Sequence, residues 1–252
     1  MALNLIMFGP PGAGKGTQAE RFARTRGIPK ISTGDILREA VHARTVVGRN
    51  VKAIMERGEL VSDDVMIGIV RERLDRDDAR SGFVLDGFPR TIPQAKALDQ
   101  MMNGRAPLIV VEIVVPESEL VRRLSMRMVC DDCGATAGGF DVVGGVSSDK
   151  MIMPAASVAM PDVPAAVTAQ TEPVRCRRCG GRLVQRSDDN DAIVRERLKV
   201  YTRLTKPLVE HYQSRPTFRS VNGLQPPDVV AAALVVAVEA AGNGLAGVGV
   251  RP

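Results

Sequence analysis

The chain has 252 residues, 44% of them hydrophobic and 25% charged, which suits one large α/β domain or a domain carrying inserted subdomains. A chain of this size buries a core without disulfides. With no Trp, two Tyr and six Phe, it lacks the rings on which a single-stranded nucleic-acid platform depends, and the net charge of +5 is carried mostly by arginine, whose planar fork matches phosphate oxygens in pairs.

In chain order, Leu3–Phe8 (LNLIMF) is a continuous apolar run that predicts a buried strand leading into a glycine-rich stretch. Thr17–Arg26 follows with Ala19, Phe22 and Ala23 at helical spacing. Ser32–Val61 is mostly helical in pattern and stands between the first strand and a second, predicted at Phe83–Leu85. Leu108–Val115 (LIVVEIVV) predicts a third strand, Thr217–Val221 a late short one, and Pro227–Asp228 the start of a helix. Strands that are apolar throughout and alternate with helices predict an α/β fold, its parallel sheet covered on both faces.

Two stretches depart from this alternation. Gly138–Pro173 turns to Gly, Ala, Val, Pro and Met with few charges and reads as an irregular excursion, and Gly242–Pro252 reads as a frayed tail. Ala2–Phe8 has no basic leader of the kind a signal peptide carries, and the longest apolar stretch, Val229–Val238, is too short to span a bilayer. These features predict a cytoplasmic protein with no membrane partner.

The stretch Gly9–Gln18 (GPPGAGKGTQ) has the spacing of a phosphate-binding loop. Its glycines let successive backbone N–H groups turn toward one anion, the following helix adds its positive end, and Lys15 adds a full charge. The residue after Lys15 is Gly16, where a serine or threonine hydroxyl usually holds Mg²⁺; the threonine comes one place later, at Thr17. The loop then supplies no direct Mg²⁺ ligand, which disfavours a GTPase or motor ATPase. Mg²⁺ keeps most of its waters readily, so a nearby carboxylate suffices, and Asp86 at the end of the second strand is placed to act through water.

Cys130-x-x-Cys133 and Cys176-x-x-Cys179, each followed by glycine, read as two knuckles sharing one zinc ion. The competing readings are four unrelated thiols or two redox pairs, and redox pairs belong beside a thioredoxin-like βαβ unit. Four protein ligands close the coordination sphere, so the zinc is expected to be structural.

These motifs, read together, resemble the adenylate kinase family. GPPGAGKGTQ is followed in family order by STGDILR (Ser32–Arg38), ERGELVSDD (Glu56–Asp64), LDGFPRT (Leu85–Thr91), CDDCGAT (Cys130–Thr136), CRRCGG (Cys176–Gly181), and QRSDDN (Gln185–Asn190) with RERL (Arg195–Leu198). The resemblance implies a three-layer P-loop fold with an inserted helical subdomain for the nucleoside monophosphate and a small zinc-bearing lid. Its implied parts are a core at 1–31, 62–125 and 192–241, an AMP-binding subdomain at 32–61, a lid at 126–191 holding the insert 138–173, and a tail at 242–252.

It further implies reversible transfer of the γ-phosphoryl group of MgATP to AMP, giving two ADP, by a monomer. Gly9, Gly12, Ala13, Gly14, Lys15, Gly16 and Thr17 are then ATP contacts, with Gln225 beside the ATP adenine. Arg38 and Arg90 match the arginines on the AMP phosphate, and Arg123, Arg127, Arg186 and Arg197 those over the ATP phosphates. Asp188 and Asp189 match the pair that orients them, while Thr33, Met55, Val61, Gly87 and Gln94 match contacts to AMP. An attacking phosphate is already ionised, so lysine and arginines, with no general base, are the groups such a reaction needs. An amide at position 94 suits adenine because it offers both a donor and an acceptor.

Three departures from the family pattern stand out. Forty-two residues separate Cys133 from Cys176, against roughly 15–20 between paired knuckles. Ala137-Gly138 stands where the family commonly has Tyr-His, and Met128 where many relatives carry an arginine. A kinase for UMP or CMP shares most of this pattern. A zinc-ribbon nucleic-acid binder would use the basic run Arg175–Arg186, although no aromatic stands beside the knuckles. His42 and His211 are isolated and receive no role.

Overall fold

The structure is a computed structural model that describes residues 2–137, 142–143, 175–186 and 189–246. It divides into two compact units, Met1–Ser125 with Ser187–Pro252, and Met126–Arg186.

The larger unit is built on five parallel strands: β1 (Leu3–Phe8), β2 (Lys30–Ser32), β3 (Gly82–Asp86), β4 (Leu108–Val114) and, late in the chain, β10 (Phe218–Asn222). Their spatial order is β10-β4-β1-β3-β2, so the first strand is central and the chain winds away from it in both directions. Alternate side chains of the strands enter different cores. Leu5 and Met7 of β1, Val84 of β3, and Ile109, Val111 and Ile113 of β4 share one cluster. Ile6 and Phe8, Phe83 and Leu85, and Leu108 and Val110 share the other. A sheet buried on both faces needs apolar residues at odd and even positions alike, which is why these strands read as unbroken apolar runs.

The first face is covered by α1 (Lys15–Arg26), α6 (Glu117–Ser125), α7 (Asp191–Val200) and α9 (Pro227–Ala246), which bury Phe22, Leu124, Val194 and Leu234 among others. The second is covered by α2 (Thr33–His42), α3 (Val46–Glu56), α4 (Asp63–Leu74), α5 (Ile92–Met101) and α8 (Lys206–Gln213), through Leu37, Val51, Val70, Leu98 and Tyr212. Local chemistry marks the helix starts. Ser32, Thr45, Thr91 and Asn190 each accept a backbone N–H three residues ahead, as N-cap residues do. Between α7 and α8 the chain makes a π-helical turn, Tyr201–Thr205, closed by the Lys206 N–H on the Tyr201 carbonyl. Pro207 explains the widening: it has no N–H to donate, and its ring crowds the carbonyl four residues back.

Four expectations are corrected. Lys30–Ser32 is a strand, so the helical stretch follows β2 rather than β1, and a turn at 43–45 splits it into α2 and α3. A three-residue strand carries too little periodicity to be read from sequence. The late strand is Phe218–Asn222, one residue later than expected. The last helix runs to Ala246, beyond the expected start of the tail at Gly242, carrying Gly242 and Gly244 although each costs about 1 kcal/mol in a helix. Within the stretch read as irregular, Val142–Val143 forms a short strand, and the rest of 138–173, like 247–252, lies outside the described residues.

The smaller unit holds two small antiparallel sheets. One orders β6 (Thr136–Ala137), β5 (Met128–Cys130) and β9 (Leu183–Gln185), and the other pairs β7 (Val142–Val143) with β8 (Arg175–Cys176). Among the described residues no helix is long and apolar enough to cross a membrane.

Ile6 is fully buried in the central strand. Ile6→Ala is expected to cost about 2–5 kcal/mol, read as a fall in the urea midpoint at unchanged slope.

Candidate active site

Parallel strands end on the same edge, and Met7 of β1 lies opposite Asp86 of β3 while Phe8 lies opposite Glu112 of β4. The glycine loop therefore leaves β1 between the ends of two neighbouring strands. Gly9, Gly12 and Gly14 all take positive φ, and Gly14 passes directly into α1. Ala13 is buried, its N–H on the Pro10 carbonyl at 3.1 Å, while Thr17 lies partly exposed in the first turn of α1. Lys15 Nζ donates to the carbonyls of Gly9 at 2.7 Å and Pro10 at 3.0 Å, which places its charge over the loop.

The same geometry accounts for Gly16. A Cβ on this residue would lie 3.3 Å from Asp86 Oδ2. The carboxylate occupies the space that a serine or threonine side chain would need. A carboxylate oxygen from β3 thus stands beside the position where the usual hydroxyl would begin.

On the β3 side a second group of residues converges. The Gly87 carbonyl accepts from Thr33 Oγ1 at 2.9 Å and from Arg90 Nε at 2.8 Å. A Cβ on Gly87 would meet both of those side chains at 2.9 Å, so only glycine lets them close over it. Gln94 is almost wholly buried, with Oε1 on the Arg90 N–H at 2.8 Å and Nε2 on Asp63 Oδ1 at 2.7 Å. Val61 is buried, and Met55 packs, in the cluster that also contains Ile6 and Phe8. Arg38 folds over Gly34 and donates to Asp35 Oδ1 at 2.5 Å.

The remaining arginines are held in pairs. Arg123 bonds Glu119 through Nε and the Gly223 carbonyl through Nη2, both at 2.8 Å, which brings it beside the loop carrying the exposed Gln225. Its neighbour Arg122 and Arg123 itself, by their hydrogen bonds, hold the Glu119 carboxyl down at about 2. Arg197 donates to the buried Asp189 at 2.9 Å, while Asp188 lies outside the described residues. In the smaller unit Met128 pairs with Gln185, so Arg127 and Arg186 flank the same end of that ladder.

Also in the smaller unit, the four cysteine sulfurs lie within 4.8 Å of one another, with Cys130 and Cys179 at 3.4 Å and Cys133 and Cys176 at 3.7 Å. A tetrahedron with metal–sulfur bonds of about 2.3 Å has edges of about 3.8 Å, so donor type and spacing fit zinc. The two knuckles repeat one geometry. The Gly134 N–H returns to the Cys130 carbonyl, and the Gly180 N–H to the Cys176 carbonyl. The backbone N–H groups of Cys179 and Arg178 draw the Cys176 thiol down to about 7.

A family model described as adenylate kinase matches residues 7–217. The chain belongs to the adenylate kinase family. It is 44% identical to an adenylate kinase of Archaeoglobus fulgidus over 88% of this chain and 91% of the relative. Identity is 47% to one of Trichlorobacter lovleyi, over 88% and 92%, and 43% to one of Geobacter sp. (strain M21), over 94% and 100%.

Three residues in this adenylate kinase family member join the site without a signal in the motifs as first read. Asp63 accepts from both Gln94 and Thr91. Thr205, in the π turn, donates to the Arg90 carbonyl at 3.1 Å. Lys30 reaches Asp35 at 3.3 Å. Only Asp63 lay within a recognised motif, ERGELVSDD; Thr205 meets a residue 115 positions away, and Lys30 makes a short-range pair with Asp35 from just outside the STGDILR motif.

Burial pushes the Asp35 carboxyl up, but Arg38, Lys30 and Ser32 outweigh it and hold it at about 2, below the ordinary 3.8. A value lowered on folding gives stability that is complete above the unfolded value and lost as pH falls through the folded one. Asp35 is half exposed, so the effect is small. The stability difference between wild type and Asp35→Asn should hold steady above about pH 5 and close as pH falls from about 4 to about 2, in urea titrations.

Proposed function

We propose that this chain transfers the terminal phosphoryl group of MgATP to AMP, reversibly, giving two ADP. The carrying observation is the convergence, at one edge of the sheet, of the glycine loop with Lys15, the Asp86 carboxylate against Gly16, and the Arg90–Gly87–Thr33–Gln94 group. The loop N–H groups and Lys15 bind the ATP phosphates, through Gly9, Gly12, Ala13, Gly14, Gly16 and Thr17. Arg38 and Arg90 hold the phosphate of AMP. Thr33, Met55, Val61, Gly87 and Gln94 surround its nucleoside. Arg123 and Arg197, and Arg127 and Arg186 of the smaller unit, are assigned to the ATP phosphates, with Asp189 orienting Arg197. Asp188 is assigned the same orienting role, and Gln225 a backbone contact to the ATP adenine.

An AMP phosphate attacks as an anion, so positioning and charge neutralisation supply the catalysis. Lys15 and the arginines bring the two nucleotides into line and neutralise the charge that gathers between them. Asp86 holds Mg²⁺ through water, and that ion supplies charge neutralisation to the phosphates. The four cysteines hold a structural zinc that sustains the fold of the smaller unit. We assign the parts as a core at 1–31, 62–125 and 192–241, an AMP-binding subdomain at 32–61 and a lid at 126–191, while the compact smaller unit spans Met126–Arg186. Clustered free thiols suit the reducing cytoplasm, and we assign the chain as a monomer on the family resemblance.

A coupled assay of purified protein with Mg²⁺, ATP and AMP should yield two ADP per turnover. CMP and UMP as acceptors should give a kcat/KM lower by about tenfold or more. Absence of ADP from ATP and AMP would sink the assignment, and a preference for UMP or CMP would move it to those kinases.

The zinc assignment has its own test. Elemental analysis should find about one zinc per chain in wild type and close to none in Cys176→Ser, with faster proteolysis inside 126–186. Full-length zinc retention in the variant would remove Cys176 from the ligand set.

A further inference from the structure

Gln94 is the residue assigned above to the acceptor base, and an amide can read a purine in two ways. With its oxygen toward the 6-position and its nitrogen toward N1, it matches adenine, whose 6-amino group donates and whose N1 accepts. Rotated by half a turn about its last side-chain bond, it matches a 6-oxo purine, whose O6 accepts and whose N1–H donates. An amide free to turn would accept both classes.

The surroundings of Gln94 leave it one orientation. The Arg90 backbone N–H can only donate, so the atom facing it at 2.8 Å is the amide oxygen. Asp63 Oδ1 faces the other end at 2.7 Å, and a carboxylate oxygen accepts, so the atom there is the amide nitrogen. The same oxygen takes the hydroxyl of Thr91 at 2.9 Å, and Thr91 Oγ1 in turn caps the Gln94 backbone N–H at 3.4 Å. The group is a closed cycle joining the first residue of α4 to the first turn of α5. Turning the amide would set N–H against N–H at Arg90 and oxygen against oxygen at Asp63. Both opposed pairs would be buried, since Gln94 is 1% exposed. One N–H and one lone pair of the amide remain for a ligand.

We infer that Asp63 is a positioning residue that locks the Gln94 amide in the orientation that selects a 6-amino over a 6-oxo purine monophosphate. The inference rests on the reading of Gln94 as the base contact. Asp63 acts through Gln94 and touches no reacting atom. The Arg90 N–H is the second half of the lock, and being backbone it survives any side-chain substitution.

The test compares kcat/KM for AMP with that for IMP, the smallest change from a 6-amino to a 6-oxo base, in wild type, Asp63→Asn, Gln94→Ala and the double variant. Asparagine keeps the shape but can donate as well as accept, which removes the opposition to a turned amide at that end. Asp63→Asn should lower the AMP-to-IMP ratio about tenfold, within the range a bidentate base contact discriminates, and chiefly through KM for the acceptor. In the Gln94→Ala background the same change should leave the ratio where Gln94→Ala alone put it. A general loss of structure would depress both substrates together and leave the ratio fixed. Should Asp63→Asn not fold, as judged by thermal melting, Asp63→Ala removes the acceptor without adding bulk and carries the same expectation. An unaltered ratio in the folded Asp63 variants refutes the lock. If Gln94→Ala leaves the ratio unaltered, the base-reading role itself fails, so the two failures are told apart.

Discussion

In a parallel ladder neighbouring strands advance together, so the residues that follow them emerge at the same edge. Here β1 pairs with β3 on one side and β4 on the other, and the chain reverses its winding direction at β1. Such a switch point opens a crevice at the carboxyl ends of the strands. The glycine loop after β1, Asp86 at the end of β3 and the Gly87–Gln94 segment beyond it are neighbours for that reason alone. Their sequence separation is irrelevant; their rung on the ladder decides. The two apolar faces that hold the ladder flat against its helices are therefore the foundation of the site as much as of the fold.

The cationic groups on that edge share a second constraint. Arg38, Arg123 and Arg197 each rest on a carboxylate, and Arg90 on the Gly87 carbonyl. Surface pairs of this kind contribute about 0–1 kcal/mol to stability, too little to explain four such arginines by folding alone. What the partners do is fix direction. A guanidinium held at one edge presents its remaining N–H groups in a set plane, which is the geometry a phosphate meets in pairs. Asp189 is the extreme case, since a buried carboxylate without Arg197 would be costly. Orientation and charge balance are thus served by the same contacts.

Sequence carried the parts of this that are local. The glycine spacing, the apolar runs of β1 and β4, and the cysteine knuckles each follow from short-range chemistry, and the structure places them as read. The strand Lys30–Ser32 was not legible, because three residues give no period and their pairing with β3 is decided by the sheet. The Thr205 contact was hidden for a different reason: it depends on a π turn forced by Pro207, which shifts the phase of everything before it by one residue. Asp63 sat in a recognised motif, yet its partner Gln94 is 31 residues away and becomes a neighbour only once α4 packs on α5.

The smaller unit follows a different logic, because among its described residues the core is nearly the cysteines themselves. Cys130, Cys176 and Leu183 are its buried cluster, with Met128, Cys133 and Ala135 packed around them. Within the described residues so few apolar groups bury little area and cannot by themselves hold the two knuckles together. Nor can bare thiolates: two unit charges about 4 Å apart repel by about 4 kcal/mol at an effective dielectric of 20, and four sulfurs make six such pairs. The cluster is stable only when protons or a cation neutralise it. A divalent ion would do this while bonding all four sulfurs, and folding of the unit and metal affinity would then become one equilibrium. Such a coupling would also offset the length of chain between the knuckles. Lengthening a loop adds only about 0.6 kcal/mol per doubling, a small charge against the binding of a structural metal.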